Sequence, residues 1–205
     1  ACASVLNRER QALFFALWPD DRQRDRLRDV INAVAKTVEG KPVARRNWHI
    51  TLAYVGQFPE EHVFELREKA SQIPVEPFQL SFNRLEYWPR PKIAALMSPT
   101  VPAELQTLVS KLNEVLVDVG VMPDDRTYRP HITVVRGARP FSTERLAHRA
   151  TTQWSRFELI ESVAGPAGIS YLPLNNSFRQ YSTVSWHLAD KLAAPEAPIG
   201  APFVE

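Results

Sequence analysis

The same tripeptide, His-Ile-Thr, occurs twice in this chain of 205 residues, at 49–51 and at 131–133. Both copies continue into apolar segments rich in β-branched residues, which are typical of β-strands. Residues i and i+2 of a strand point to the same face, so each histidine shares a surface with its threonine. Ile50 and Ile132 would face the core, and a shift of one residue would bury the histidines. Each copy therefore predicts a rigid strand that presents two polar groups.

Helix and strand patterns alternate on both sides of the tripeptides. Apolar residues at helical spacing predict amphipathic helices over 27–34 and 105–119. Strands are predicted over 12–18, 48–56, 78–88, 92–97, 128–136, 157–163 and 181–188, and short helices over 59–70 and 142–150. We expect an α+β fold with two pseudo-symmetric lobes of antiparallel sheet and flanking helices around a central cleft. Residues 1–192 would form this single domain by internal duplication, followed by a loose tail over 193–205.

Composition argues against several classes of protein. The net charge is only +2, from 25 basic and 23 acidic residues, so any contact with nucleic acid should be local. Cys2 is the single cysteine, which leaves no intrachain disulfide and no thiolate metal cluster. The sequence shows neither a signal-peptide core nor an apolar run of about 18 residues. We expect a soluble, cytoplasmic protein with no membrane contact and no obligate protein partner.

Two histidines beside two threonines suggest acid–base chemistry on an anion. An imidazole has an ordinary pKa of about 6.5, so at neutral pH one could be neutral and the other protonated, as a general base and a general acid require. With one arginine, these side chains could surround a phosphodiester without a metal or a cofactor. A zinc site built from His49 and His131 is the alternative, but threonine is a poor zinc ligand and further histidines at i, i+4 spacing are absent.

The segments around the tripeptides resemble the signatures of a known family. Asn-Trp-His-Ile-Thr-Leu-Ala-Tyr-Val-Gly at 47–56 is similar to its first signature, Tyr-Arg-Pro-His-Ile-Thr-Val-Val-Arg at 128–136 to its second, and 13–20 to its opening strand. The family is the two-histidine phosphoesterases, and within it the RNA 2′,3′-cyclic phosphodiesterases, once described as 2′-5′ RNA ligases. The resemblance covers most of the chain. It implies a two-lobed fold and a reaction that opens an RNA-terminal 2′,3′-cyclic phosphate to a 2′-phosphate.

The resemblance also implies a role for each polar residue of the two signatures. His49 would donate a proton to the departing 3′ oxygen, and His131 would be the base that activates water. Thr51 and Thr133 would bind phosphate oxygens, and Arg136 would contact the phosphate. Arg136 follows His131 by five residues, so it leaves the face of the histidine unless the strand bends.

Other residues are candidates for contacts with RNA. They are Tyr128 and Phe15, which would line the mouth of the cleft, and Arg45, Arg46 and Arg129, which would steer an anionic 3′ end. Trp48 should point away from His49 and pack in the core. His62, His148 and His187 have no partner at a ligand or triad spacing, so we expect structural or solvated roles for them.

Three uses of such a cleft remain open. The first is hydrolysis of an RNA-terminal cyclic phosphate, and the second is the reverse ligation. The third is a binding module for a nucleotide or an RNA end with little turnover. The partners would be RNA 3′ ends or cyclic nucleotides in each case. A symmetric pair of histidines can act in either direction, so the order of the two roles depends on the family resemblance alone.

Overall fold

The computed structural model describes residues 10–166, 168–174 and 178–179. Within these residues the helices are α1 (Asp21–Thr37), α2 (Val63–Ser71) and α3 (Ala103–Asp118). The strands are β1 (Arg10–Leu17), β2 (Lys41–Pro42), β3 (Ile50–Pro59), β4 (Phe78–Trp88), β5 (Ile93–Met97), β6 (His131–Arg136), β7 (Glu144–Trp154), β8 (Arg156–Gly165), β9 (Gly168–Pro173) and β10 (Phe178–Arg179). Short 3-10 helices, Arg45–Asn47 and Glu60–His62, precede β3 and α2. The predicted strand over 181–188 and the tail over 193–205 lie outside the described residues.

The strands form two antiparallel sheets, and each tripeptide belongs to a different sheet. Sheet I has the order β10-β8-β1-β3, with β9 also paired to β8. Sheet II has the order β2-β6-β5-β4-β7. The predicted α+β fold with two lobes of antiparallel sheet is confirmed, and the neighbouring strands β4 and β5 pair with each other as an antiparallel hairpin. Sheet I combines strands from both ends of the chain, and the internal duplication stays a prediction.

Sequence patterns account for the two long helices. A capping box opens α1: the Asp20 side chain accepts a hydrogen bond from the Gln23 backbone N–H at 2.8 Å, and the Gln23 side chain accepts one from the Asp20 N–H. The buried residues of α1 are the four that the helical spacing predicts, Leu27, Val30, Ile31 and Val34. α1 packs on β6 and β7 of sheet II, and α3 packs on β3 of sheet I. Each sheet therefore has one face covered by a helix.

No helix of the described residues is long and apolar enough to span a membrane.

Alternation along β1 separates the main core from the uncovered face of sheet I. Leu13, Phe15 and Leu17 belong to the main core, whereas Phe14 and Ala16 join a smaller cluster on the opposite face. The prediction that Phe15 lines the cleft is wrong. Its side chain is 0% exposed and packs edge-on against Phe157, with 5.9 Å between ring centroids. Phe14, one residue earlier, faces the cleft instead.

The prediction of a helix over 142–150 is also wrong. Most of these residues belong to β7, an edge strand that pairs with β4, where Phe78 is opposite Trp154. Backbone hydrogen bonds to β4 outweigh the local helix propensity of this charged segment. Its exposed charged side chains are the kind that protect an edge strand from pairing with other chains.

The position of Phe15 predicts a large effect on stability. We expect Phe15→Ala to lower the free energy of unfolding by about 3–5 kcal/mol, because it leaves a cavity in a packed core. Tyr54→Ala is the matched control, since Tyr54 lies in the neighbouring strand β3 but is 63% exposed, and it should cost less than about 1 kcal/mol. Urea unfolding measures both. Equal costs for the two variants would contradict the burial of Phe15.

Candidate active site

The site lies where sheet I and sheet II meet. β3 contacts β6 directly. The Tyr128 hydroxyl, next to β6, donates to the backbone carbonyl of Thr51 in β3 at 3.0 Å. Arg136 at the end of β6 donates from Nη2 to the Tyr171 hydroxyl of β9 at 3.1 Å. These two hydrogen bonds join the sheets on either side of the histidines. We call the space between the histidine-bearing faces the cleft.

Each histidine is oriented by a peptide carbonyl two residues earlier in the chain. His49 Nδ1 lies 2.7 Å from the Asn47 oxygen, and His131 Nδ1 lies 2.9 Å from the Arg129 oxygen. A carbonyl oxygen only accepts, so Nδ1 carries the proton in both rings. The other ring nitrogen, Nε2, is then a lone-pair donor in the neutral form and an acid in the protonated form.

The two threonines stand opposite small residues. In the strand registers, Thr51 pairs with Ala16 and Thr133 pairs with Ala95. Side chains of paired residues lie on the same face of a sheet. Both alanines are fully buried, in the small clusters that line the cleft faces of the two sheets. A methyl group beside each hydroxyl leaves room for a ligand.

A tryptophan contacts each histidine, and neither was predicted. Trp18 stacks on His49 with ring centroids 5.5 Å apart, and Trp88 contacts His131 at 4.3 Å. A guanidinium lies over each indole in turn, that of Arg24 over Trp18 at 5.9 Å and that of Arg129 over Trp88 at 5.3 Å. The order arginine, tryptophan, histidine therefore repeats in both halves of the site. Each tryptophan follows or ends a strand just before a proline, which is the one signal the sequence offers for them.

Glu86 is a further residue that sequence reasoning missed. Its carboxylate is 8% exposed and accepts hydrogen bonds from Trp88 Nε1 at 3.1 Å and from Arg129 Nη2 at 2.6 Å. Burial raises the pKa of Glu86, but these hydrogen bonds and the charges of Arg129 and Arg84 have a larger, opposite effect. The pKa of Glu86 is therefore below its ordinary value. A negative charge therefore stands near His131 at neutral pH.

Burial keeps both imidazoles neutral in the free protein. It lowers the pKa of His49 to about 4, and the positive charge of Arg136 acts in the same direction, as does that of His131 whenever His131 is protonated. Burial also lowers the pKa of His131, as does the Arg129 charge, while the bond to the Arg129 carbonyl and the charge of Glu86 oppose it. The sequence-based expectation of one neutral and one protonated ring at neutral pH does not fit these shifts. An anion bound in the cleft would raise both pKa values.

A β-bulge returns Arg136 to the face of His131. Along β6, Thr133 pairs with Ala95 but Val135 pairs with Ala94, so Val134 is an extra residue. Val134 and Val135 are both buried, and the exposed Arg136 follows them. The bend that the spacing from His131 to Arg136 requires is therefore present.

The remaining predicted residues differ in their surroundings. Arg45 Nη2 bonds to Asp25 Oδ1 at 2.8 Å and to the Asp21 carbonyl at 3.3 Å, so its guanidinium faces α1. Arg46 is exposed. Trp48 packs in the core, as predicted, and donates from Nε1 to the Val43 carbonyl at 3.1 Å. The described residues contain no group of three or more His, Cys, Asp or Glu side chains arranged to hold a metal ion.

The pKa shifts predict the titration of the two histidines. We expect His49 in the free protein to titrate near pH 4 and the pKa of His131 to lie below about 6.5. Arg136→Gln should raise the pKa of His49, because it removes a positive charge, but burial should keep that pKa below the ordinary value. Arg139→Gln, which removes an exposed arginine paired with Glu39, is the control. Imidazole resonances followed by NMR against pH measure these values, and an unchanged His49 in Arg136→Gln would contradict the interpretation.

The chain is similar to proteins of a known family. Residues 19–161 match the model of the 2′-5′ RNA ligase superfamily. An RNA 2′,3′-cyclic phosphodiesterase of Archaeoglobus fulgidus is 26% identical over 174 residues, which cover 79% of this chain and 97% of the relative. One from Escherichia coli is 29% identical over 130 residues, 63% of this chain and 74% of the relative. A third curated relative, from Aeropyrum pernix, has the same name.

Solved structures show the same fold. The crystal structure of Escherichia coli LigT in its apo form has a TM-score of 0.73 and is 27% identical, covering 83% of this chain and 98% of LigT. LigT complexed with 3′-AMP has a TM-score of 0.75 and is 25% identical, and the match covers 85% of this chain and 100% of LigT. The names of the three relatives support the enzyme class of RNA 2′,3′-cyclic phosphodiesterases. The matched family model covers most of the chain, including both tripeptides, and the chain belongs to the 2′-5′ RNA ligase superfamily.

Proposed function

We propose that the cleft hydrolyses an RNA-terminal 2′,3′-cyclic phosphate to a 2′-phosphate. The observation that carries this proposal is the matched pair of histidines, each held through Nδ1 so that Nε2 is available in the cleft. The names of the curated relatives support the reaction, and the LigT complex with 3′-AMP supports a nucleotide with a terminal phosphate as ligand. The matching chemistry is a concerted proton transfer by two groups.

The reaction needs one base, one acid and one water. His131 Nε2 takes a proton from the water as its oxygen bonds to phosphorus, and the bond from phosphorus to the 3′ oxygen breaks. His49 Nε2 gives its proton to the departing 3′ oxygen, which becomes a hydroxyl. The phosphate stays on the 2′ oxygen, so atoms and charges balance without another reactant.

Three neighbouring groups would hold the phosphate during this transfer. The hydroxyls of Thr51 and Thr133 donate to its free oxygens, and the guanidinium of Arg136 neutralises charge that develops on them. The hydrogen bond from Arg136 to Tyr171 holds that guanidinium at the cleft. Tyr171 also lies edge-on to His49, with ring centroids 5.0 Å apart, which restricts the imidazole. The bound phosphate supplies the negative charge that lets one histidine keep a proton.

Variants of the two histidines test the proposal. We expect the protein, in excess EDTA, to convert an RNA ending in a 2′,3′-cyclic phosphate to the 2′-phosphate product. His49→Ala and His131→Ala should each lower the rate by roughly 10²–10⁴-fold, the contribution of one general acid or base. His148→Ala is the matched control, since His148 is an exposed histidine of the edge strand β7, and it should leave the rate unchanged. Chromatography separates the 2′- and 3′-phosphate products.

The rival interpretation predicts a different outcome. A binding module for RNA ends would retain the cyclic phosphate while binding it, and both histidine variants would change affinity alone. Full activity in both His49→Ala and His131→Ala would contradict the two-histidine mechanism itself.

The order of the two roles can be tested with a leaving group that needs no acid. Bis(p-nitrophenyl) phosphate releases p-nitrophenolate, which departs without a proton. We expect His49→Ala to retain most of its activity on this diester and His131→Ala to lose it, because only the base is still needed. The two orders are not equivalent, because the carboxylate of Glu86 raises the pKa of His131, whereas no carboxylate of the described residues is among the causes of the His49 shift. The opposite result would assign the acid role to His131.

A further inference from the structure

A cavity of about 760 Å³ opens on sheet II beside the cleft. Ser98 in its wall donates its backbone N–H to the carbonyl of Pro130 at 3.2 Å, and Pro130 immediately precedes His131. The cavity is also lined by Ser81, Thr143 and three arginines, Arg84, Arg145 and Arg149. It therefore begins at the residues next to one catalytic histidine and extends away from it.

Strand register connects this cavity with the proposed site. Arg145 in β7 pairs with Arg84 in β4, Arg84 pairs with Met97 in β5, and Met97 pairs with His131 in β6. Paired residues of neighbouring strands lie on the same face of the sheet. At about 4.8 Å between strands, Arg84 is roughly 10 Å from His131 across this face. A ligand that occupies the cleft can therefore continue along the sheet without changing faces.

The charges of the cavity are all of one sign. Three arginines line it, and none of its described lining residues is an aspartate or a glutamate. Glu86 partly neutralises Arg84, through an ion pair at 3.1 Å. Arg145 and Arg149 are exposed, and neither has an ion pair with another residue in the part of the chain that the structure describes. Two positive charges are left for a ligand, next to hydroxyl and amide groups.

The same kind of lining continues beyond the cavity. A second cavity of about 810 Å³ lies where α1 passes the edge strand β7, and Gln79 lines both cavities. Arg22, Arg26 and Arg156 line the second one. Its one described carboxylate, Asp20, is occupied in capping α1. The two cavities form a basic surface that leads from His131 to the start of α1.

We propose that this surface binds the backbone phosphates of single-stranded RNA upstream of the cyclic phosphate. The proposal rests on the proposed function for the position of the RNA 3′ end. A 2′,3′-cyclic phosphate is the last group of the chain, so every further phosphate lies on its 5′ side and must leave the cleft along a neighbouring surface. Arginines that line both cavities, with Asp20 as the one described carboxylate among the lining residues, match such a row of phosphates. The true substrate is then an RNA strand, and a cyclic mononucleotide fills only part of the site.

Binding of RNA to an Arg145→Gln/Arg149→Gln double variant tests this surface. The probe is a labelled RNA of about eight nucleotides ending in a 3′-phosphate, within the length that single-strand sites cover, and fluorescence anisotropy gives its Kd without turnover. We expect the Kd to rise roughly tenfold. The slope of log K against log salt should fall by about 1.4, or about 0.7 for each phosphate that the variant no longer neutralises. Arg28→Gln removes an exposed arginine of α1 outside both cavities and should change neither value.

Length and turnover distinguish this proposal from the proposed function. Arg22→Gln/Arg26→Gln should weaken binding of the longer RNA but not of an RNA of about three nucleotides, since the second cavity lies farther from His131. Hydrolysis of a cyclic mononucleotide should be unchanged in both double variants.

An unchanged Kd for the longer RNA in Arg145→Gln/Arg149→Gln would overturn the proposed RNA-binding surface even if hydrolysis is found. An equal loss of affinity for polyglutamate would also overturn it, by indicating a general anion surface. Weaker RNA binding in a protein without turnover would support the surface and refute the proposed reaction.

Discussion

Burial of one face of each sheet in a shared core fixes the direction of every polar group in the cleft. Ile50 and Ile132, the middle residues of the two tripeptides, are both fully buried, so the residues on either side of them must face the other way. A slip of either strand by one residue would expose an isoleucine and bury a threonine without a partner, and both changes cost free energy. The geometry of the site is therefore set by apolar packing behind it. The apolar faces of α1 and α3 contribute to the site through this packing.

The two histidines are oriented by peptide carbonyls, which fix the tautomer without adding a negative charge. A carboxylate at Nδ1 would hold the ring in the same position and would also stabilise its protonated form. With carbonyls, desolvation dominates, and both rings are neutral, with one proton on Nδ1, before a ligand arrives. Glu86 breaks this symmetry, because its negative charge raises the pKa of His131. Hydrogen bonds from Trp88 and Arg129 hold its carboxylate in place. The two histidines thus share the same kind of carbonyl and tryptophan contact but differ in the charges around them.

The sequence predicts the parts of the site that depend on local pattern. The repeated tripeptide indicates two strands, their orientation and the shared face of histidine and threonine. It does not decide between Phe14 and Phe15, because the apolar run over 12–18 shows no alternation from which a face could be read. Trp18, Trp88 and Glu86 join the site through pairing of distant strands, which no local pattern contains. Desolvation of the histidines likewise depends on what packs around them in the folded chain.

The extra residue in β6 bears on how strand sequences are interpreted in general. Counting by twos places Arg136 on the wrong side of the strand, yet Val134 and Val135 are both buried and the arginine returns to the side of Thr133. An odd sequence separation between two polar groups that must meet one ligand is therefore a signal in its own right. It marks a bulge at the pair of consecutive apolar residues between them. A spacing that violates alternation then locates an irregularity in the backbone before any coordinates are known.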